Sequence, residues 1–394
     1  MKQNKLISRL NLFFRSTGLF FTIGAVLWLS LCTWAAYRDV SKDESILSLF
    51  SFSNVFAVAA NVFFLIIWLF TQRKKFSLLP LAALLLCFSV TKASFGVNLL
   101  GATVKAEDQS LKVMTWNVHL FDLGEWTKNK QSKNKIIEFI SEQAPDILCL
   151  QEYYVDAGNL NEPYVELLRS LGYNYYEFSI EDDYPKRNIN IEAGPDEVIK
   201  VGHAVFSKFP LSKMQRYSLD PKRNYYNLLG VDVELGAQKK IRLYVTHLQS
   251  VTLSNAEVAY AEEKTTKLPT KVESKTKGIL TKLILASSKR ALQANSIDSV
   301  MNKGTLPAII CGDMNDMPGS YVYRKVKGDL SDAFVSKGFG FGRTYRNIFP
   351  TLRIDYIFYD HKFFTCKGYS SPDVALSDHN PVIASFSIKS AENK

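Results

Sequence analysis

The stretch LPAIICGDMN, residues 306–315, holds a run of apolar residues from Ala308 to Cys311 that stops at a glycine, an aspartate and, two places on, an asparagine. A short continuous apolar run reads as a strand buried on both faces at the centre of a sheet. The carboxylate and amide at its end read as a site, because an unpartnered ionised group inside such a strand is costly to bury. The pattern recurs. LKVMTW ends in Asn117, DILCLQ in Glu152 and RLYVT in His247, while RI is followed by Asp355 and LS by Asp378 and His379. With Asp313 and Asn315, these endings use only Asn, Asp, Glu and His, and packing does not explain them. They describe a pocket at one edge of a sheet.

Working outward, residues 105–394 read as one domain, with no low-complexity linker or repeat to divide them. The strand candidates are LKVMTWNV, DILCLQE, GYNYYEFSI, GHAVFS, YNLLGVDVEL, KIRLYVTHLQ, LPAIICGD, RIDYIFY and PVIASFSI. AIIC and DILCL belong at sheet centres, whereas several others alternate as half-buried strands do. Helical period appears in NKIIEFISEQ and around LTKLILASSKRALQANSIDSVM. The polar insertions 181–200 and 251–282 read as solvated surface, the first as a long loop. The second directly follows His247, so its alternative reading is a rim or lid over the site. Cys149 and Cys311 sit in strand-like runs as small buried hydrophobes, and no CxxC pair is present to hold structural zinc.

Residues 1–104 differ in kind. Long apolar stretches predict about three transmembrane helices, 16–37, 50–71 and 76–97, against a hydrocarbon core of about 30 Å crossed at about 1.5 Å per residue. The third is marginal, with Pro80 near its start and Lys92 inside it unless the ammonium snorkels. The chain has a formal charge of +10, but +8 of this precedes residue 106 and only +2 follows. The basicity therefore reports the flanks of apolar segments and is weak evidence for a nucleic-acid surface. Lys2, Lys5, Arg9 and Arg15 precede the first span and Arg73, Lys74 and Lys75 separate the second from the third. The positive-inside rule then puts the N-terminus in the cytoplasm. Three spans place residues 105–394 outside the cytoplasmic (inner) membrane, in an extracytoplasmic or periplasmic position; two would place them inside. The expectation is a multi-pass membrane protein with its large domain outside.

The polar endings admit a narrow chemistry. Carboxylates and amide oxygens are hard ligands suited to Mg²⁺ or Mn²⁺, which keep waters and take substrate phosphate oxygens. A histidine beside an aspartate is held in one tautomer as a general base for water, and a second histidine with an asparagine can hold charge building on phosphorus oxygens. There is no GxSxG elbow, Cys-x₅-Arg loop or HExxH helix, so attack by activated water is the simplest mechanism.

The ordered series TWN, LQE, THL, GDMN, RIDYI and SDHNP resembles the endonuclease/exonuclease/phosphatase superfamily, of membrane-anchored bacterial type, over Leu111 to Ile388. The resemblance implies a DNase-I-like fold, an α+β sandwich of two packed β-sheets flanked by helices, here preceded by a transmembrane helical region. It implies that Glu152 is the main metal ligand, with Asn117 beside it and Asp378 near the metal or its waters. His247 would stabilise the pentacovalent phosphorus, Asp313 and Asn315 would position water and phosphate, and His379 would be the base with Asp355 orienting it. Some nuclease members carry an acidic residue two places after the first Asn, where this chain has His119. No carboxylate partner for His247 is evident. His119, His203 and His361 read as ordinary hydrogen-bonded histidines, and Arg290 and Gln293 as packing and network residues. Arg343 and Tyr345, in FGRTY, are candidate substrate contacts.

The expected activity is hydrolysis of a phosphodiester or phosphomonoester by a membrane-anchored, Mg²⁺-dependent phosphoesterase. The substrates in view are nucleic acid, which would make it a nuclease on DNA or RNA, and a phospholipid or sphingomyelin head group. The bilayer is the other partner, and no obligate protein partner is expected. A non-catalytic, membrane-tethered binding module is the competing class; it predicts erosion of the ligand set, whereas Glu152, Asp313, Asn315, Asp378 and His379 are all present.

Overall fold

A computed structural model describes the chain apart from residues 1, 43–44, 99–109, 125, 127–131, 157–162, 187–196, 221–225, 237–238, 252–273, 348–351 and 390–394, and apart from the side chains of 2–15, 163, 274 and 275. The described strands are β1 (Gly96–Val97), β2 (Leu111–Asn117), β3 (Ile147–Asp156), β4 (Tyr175–Pro185), β5 (Val198–Ser207), β6 (Leu211–Ser218), β7 (Asn227–Glu234), β8 (Lys240–His247), β9 (Ala308–Asp313), β10 (Ser331–Asp332), β11 (Phe339–Gly340), β12 (Asp355–Tyr359), β13 (Phe364–Ser370) and β14 (Val382–Ile388). The helices are α1 (Lys2–Tyr37), α2 (Asn54–Leu69), α3 (Leu78–Leu86), α4 (Phe88–Ser94), α5 (Ser132–Gln143), α6 (Pro163–Ser170), α7 (Ser274–Met301), α8 (Tyr321–Lys327) and α9 (Ala333–Lys337).

Two six-stranded sheets, β13-β14-β2-β3-β5-β4 and β10-β12-β9-β8-β7-β6, pack face to face. Val113, Cys149 and Val205 of the first share a buried cluster with Leu229, Val245, Ile309 and Cys311 of the second. Each such aliphatic side chain contributes about 1.5–3 kcal/mol on burial, which is why the runs DILCL and AIIC occupy sheet centres. Cys149 and Cys311 are free and fully buried there, as small hydrophobes. The fold is thus the two-sheet sandwich with flanking helices that the motif series implied.

Connectivity collects the polar endings. Strands β2 and β3 are parallel, joined through α5, and β8 and β9 are parallel, joined through α7; His247 lies opposite Asp313 and Asn117 opposite Gln151. Parallel neighbours finish at the same edge. Antiparallel β12 starts there, with Asp355 opposite Asp313, and β14 starts just after His379. Three strand ends, two strand starts and the middle of β3 at Glu152 therefore meet at one rim.

The structure corrects two readings. Insertion 181–200 is not wholly a loop: Glu181–Pro185 continue β4 and Val198–Lys200 begin β5, while 187–196 lie outside the described residues. Its polar composition masked a paired ribbon whose outer face is wet. The third apolar stretch is not one straight helix, because Lys74–Leu86 and Phe88–Ser94 meet at 83°. Among the described residues two segments, Ser16–Tyr37 and Ile46–Leu69, are long and apolar enough to cross a membrane, or three if the bent pair is one span. The bend has a packing reason: α4 seats on the large domain, where Arg353 donates to the Ala93 carbonyl at 2.7 Å. Strands β6 and β13 were absent from the sequence reading; β6, LSKMQRYS, is an edge strand with no buried face to mark it. Of the expected lid, 252–273 lie outside the described residues, and Ser274 onward is α7.

Candidate active site

At the shared rim, Asn117 and Asp313 end their strands almost fully buried, and Asn117 Nδ2 donates to Glu152 Oε1 at 3.0 Å and to Asp313 Oδ2 at 3.3 Å. Glu152 reaches this position through a β-bulge. Pairing between β3 and β5 jumps from Leu150 with Ala204 to Tyr153 with Gly202, leaving one extra residue on β3. Glu152 takes φ 50° there, as does Asn315. Bulges re-aim side chains, and non-glycine residues in this region cost about 1–3 kcal/mol, a strain that clusters at functional sites. Gly312 is required for closeness: a Cβ there would lie 1.9 Å from the Thr246 carbonyl oxygen of β8.

Two histidines converge on Asp313. His247 Nε2 and His379 Nε2 both lie 3.6 Å from Asp313 Oδ2. His379 Nδ1 is 2.9 Å from Asp355 Oδ2, the aspartate expected to orient it. Asn315 closes the floor, its backbone N–H donating to Asp313 Oδ1 at 2.8 Å and its amide to the Leu248 carbonyl at 3.0 Å.

His247 also has a carboxylate, which the sequence reading did not find. Glu181 Oε2 stands 3.9 Å from His247 Nδ1, and Glu181 Oε1 is 3.0 Å from His203 Nε2 and accepts from the Asn227 backbone N–H at 3.2 Å. A second bulge, at Glu181 between Ile180 and Asp182, turns the side chain inward. His203 is fully buried and plays the ordinary hydrogen-bonding part expected of it, here holding Glu181. The only sequence signal for Glu181 was one glutamate directly after the alternating run YYEFSI.

The remaining candidates separate. Asp378 sits on the rim, 3.3 Å from His119 Nδ1, whose ring stacks on Trp126 at 4.1 Å. Tyr345 packs edge-on against His379 at 5.0 Å. Arg343 turns away, its guanidinium held by the carbonyls of Tyr345 and Arg346. Arg290 is fully buried, bonded to Asp316 at 2.9 Å and to the Gln249 carbonyl, and Gln293 accepts from the Gln249 N–H; both are network residues, as expected.

Electrostatics tie the cluster together. Burial and Asp355 push the Asp313 carboxyl up to about 6, against the two histidines, which lower it. Burial alone would lower His379, but Asp355, Asp313 and Asp378 raise it well above the usual imidazole range; His247 is raised likewise, against burial, by Asp313, Glu152 and Glu181. Protons in this group belong to the set rather than to one residue.

The donors fit a divalent cation. Glu152 keeps 28% of its side chain exposed, facing the cleft beside Asn117. Asp313, Asp355 and His379 bring ligand atoms within 4.8 Å of one another, and Asp355 Oδ1 is buried with no hydrogen-bond partner among the described residues. His379 Nδ1 is already engaged by Asp355, so the open oxygens of Glu152 and its neighbours are the better seat.

Comparison with known proteins agrees with this architecture. A search of curated protein sequences returned no match. The human Nocturnin catalytic domain, solved with a bound sulfate anion, superposes with a TM-score of 0.50 at 21% identity, covering 73% of this chain and 96% of that one. An endonuclease/exonuclease/phosphatase from Beutenbergia cavernae aligns with a TM-score of 0.48 at 18% identity, over 72% of each chain. Residues 11–94 match the model of a domain of unknown function. Residues 114–379, spanning every element of the rim from β2 to His379, match the model of the endonuclease/exonuclease/phosphatase family, and the chain belongs to that family of hydrolases acting on phosphoric ester bonds.

Proposed function

We propose that the protein is a membrane-anchored phosphodiesterase that hydrolyses its substrate by attack of water, with Mg²⁺ or Mn²⁺ held by Glu152 and Asn117 and, through waters, by Asp378. The observation that carries this reading is the approach of both histidine Nε2 atoms to one Asp313 oxygen at 3.6 Å, beside the Asn117–Glu152 pair. When bound, the cation neutralises charge on phosphoryl oxygens.

The chain's own residues do the rest. Asn315, bonded to Asp313, and Asp313 itself orient the attacking water. The Asp313–His379 pair takes the proton leaving that water on the Asp313 carboxylate, raised to about 6, since His379 already carries its own. Asp355 holds the His379 ring through Nδ1, so that Nε2 faces the reaction. His247, kept cationic by its carboxylate neighbours, donates to the phosphoryl oxygen on which charge builds. Tyr345, packed on His379, lines the substrate side; Arg343 is left to shape its own loop.

The apolar helices favour a site facing a bilayer, with the domain on the extracytoplasmic side by the distribution of basic residues. The test is the full-length protein and its Glu152→Gln variant, assayed with Mg²⁺, Mn²⁺ or EDTA against single- and double-stranded DNA, RNA, sphingomyelin, phosphatidylinositol phosphates and bis-p-nitrophenyl phosphate. Turnover that needs both metal and Glu152 is expected, and the preferred member names the substrate class. Metal-independent turnover, or equal rates in the variant, would refute the mechanism.

A further inference from the structure

A cavity of about 310 Å³, walled in part by cations, lies where the apolar helices meet the large domain, outside the catalytic rim. One wall is the end of α1, at Tyr37; another is α4, with Ser89 and Lys92; the third is α8 and the turn after it, with Arg324 and Lys327. Three cations thus face one space of a size that suits a small polar ligand.

None of the three has an ion-pair partner within 4.0 Å among the described residues. Lys92 is exposed and rests over the Phe88 ring. Arg324 gives its Nε to the Ala36 carbonyl and lays its guanidinium over the Tyr37 ring at 4.3 Å. Lys327 donates to the backbone carbonyls of Gly328 and Leu330. The cavity's one acid, Asp332, is spent: its Oδ2 accepts from Arg353 at 2.7 Å and from the Tyr323 hydroxyl at 2.9 Å. Asp329 lies near Lys327 but is exposed. Burial, and then Lys92, lower the Lys327 ammonium against the pull of both aspartates, so an added anion would relieve it.

Position names the anion's source. Tyr37 is the last residue of the first candidate span, and its hydroxyl donates to Ser89 Oγ of α4 at 3.3 Å, just after the 83° bend. Beside the cavity, Leu86 and Phe88 expose 85% and 57% of their surfaces and Trp34 and Tyr37 about half, an apolar skirt with interfacial aromatics. Lys and Arg side chains held close to a bilayer surface attract the phosphates of anionic head groups. We propose that this cavity seats the phosphate of an anionic phospholipid, with its acyl chains along Leu86 and Phe88. The site rests on the reading that these helices enter a bilayer.

The test uses the full-length chain in nanodiscs of phosphatidylcholine with and without phosphatidylglycerol, counting retained lipid by native mass spectrometry. Phosphatidylglycerol should be enriched on the wild type, and the enrichment should fall about fivefold for each cation removed in Lys92→Gln and in the Lys92→Gln, Lys327→Gln pair. The single variant alters an exposed side chain with no hydrogen bond among the described residues, so it guards against loss of fold in the pair. Retention of phosphatidylglycerol at its bulk ratio, or enrichment unchanged in both variants, would overturn the proposal. Inorganic phosphate without lipid that raises the melting temperature through the same two lysines as strongly as phosphatidylglycerol would replace the lipid by a soluble anion. A chain that stays with no bilayer of any composition would remove the membrane reading and this site with it. Phosphodiester turnover is measured in parallel and should be the same in both variants, so absence of catalysis in the wild type counts against the catalytic reading alone.

Discussion

Two histidines face Asp313 at the same 3.6 Å, each backed by a carboxylate from the opposite sheet, yet they are held differently. His379 precedes β14 in one sheet and is bonded at 2.9 Å to Asp355, the first residue of β12 in the other. His247 ends β8 in that second sheet and has Glu181, from β4 in the first, at 3.9 Å. The tight arm fixes a tautomer and a ring orientation. The loose arm supplies charge without a close hydrogen bond, because Glu181 is held by its other oxygen, Oε1, which goes to His203 and the Asn227 N–H. The difference suits proton transfer on one side, where geometry is strict, and charge stabilisation on the other, where distance falls off gently.

The comparison can be broken at its hinge. Asp313→Asn removes the charge both arms face and should lower kcat by about 10³-fold or more, since acid–base transfer and charge placement fail together. Single-turnover rates with a phosphodiester substrate measure it; a loss under tenfold would show that the arms act independently. On the tight arm, Asp355→Asn frees the ring and should cost about 10²-fold, chiefly in kcat, with KM little changed. On the loose arm, Glu181→Gln should cost about tenfold, near the low end for an orienting carboxylate. If Glu181→Gln is the more damaging of these two, the assignment of roles is reversed.

The smallest effect is one of stability. Although burial opposes it, His203 and His247 lower the Glu181 carboxyl below its usual range. A carboxyl whose folded value lies below its unfolded one stabilises the fold above the unfolded value, about 4.3, and loses that contribution as pH falls through the folded value. The wild type should therefore melt higher than Glu181→Gln near neutrality, with the gap closing as pH drops below about 4. Melting curves across that range check it, and a gap that widens in acid would contradict the ion pairing.

The two arms were not equally legible. Asp355 and His379 stand at strand boundaries in RIDYI and SDHNP, where an abrupt change from apolar to polar marks them. Glu181 lies inside β4, within a polar segment, and faces inward only because a one-residue bulge flips its direction. Alternation is the signal by which strands are read, and a bulge breaks it at the residue that matters. The edge strand β6 was hidden for a related reason, since exposure leaves no hydrophobic face to read. Arg343 and Tyr345, two residues apart on one loop, could not be told apart by composition; backbone geometry sends one to its own carbonyls and the other onto His379.

The membrane region shows the same division. Its apolar segments follow from composition, which sets where burial or a bilayer is needed. That α4 breaks away at 83°, that Asn54 caps the Pro318 carbonyl at 2.9 Å and that Arg353 bridges Asp332 to Ala93 depend on which surfaces meet. By itself the sequence determined the buried central strands, the apolar helices and the polar residues that interrupt the strands, because hydrophobic runs and their interruptions are local; the two-sheet arrangement was implied by the resemblance its motif series carries. Only the tertiary structure decided the Glu181 arm, the shared proton set around Asp313 and the cationic cavity beneath α8, because each unites side chains whose nearness is set by register, bulges and helix docking.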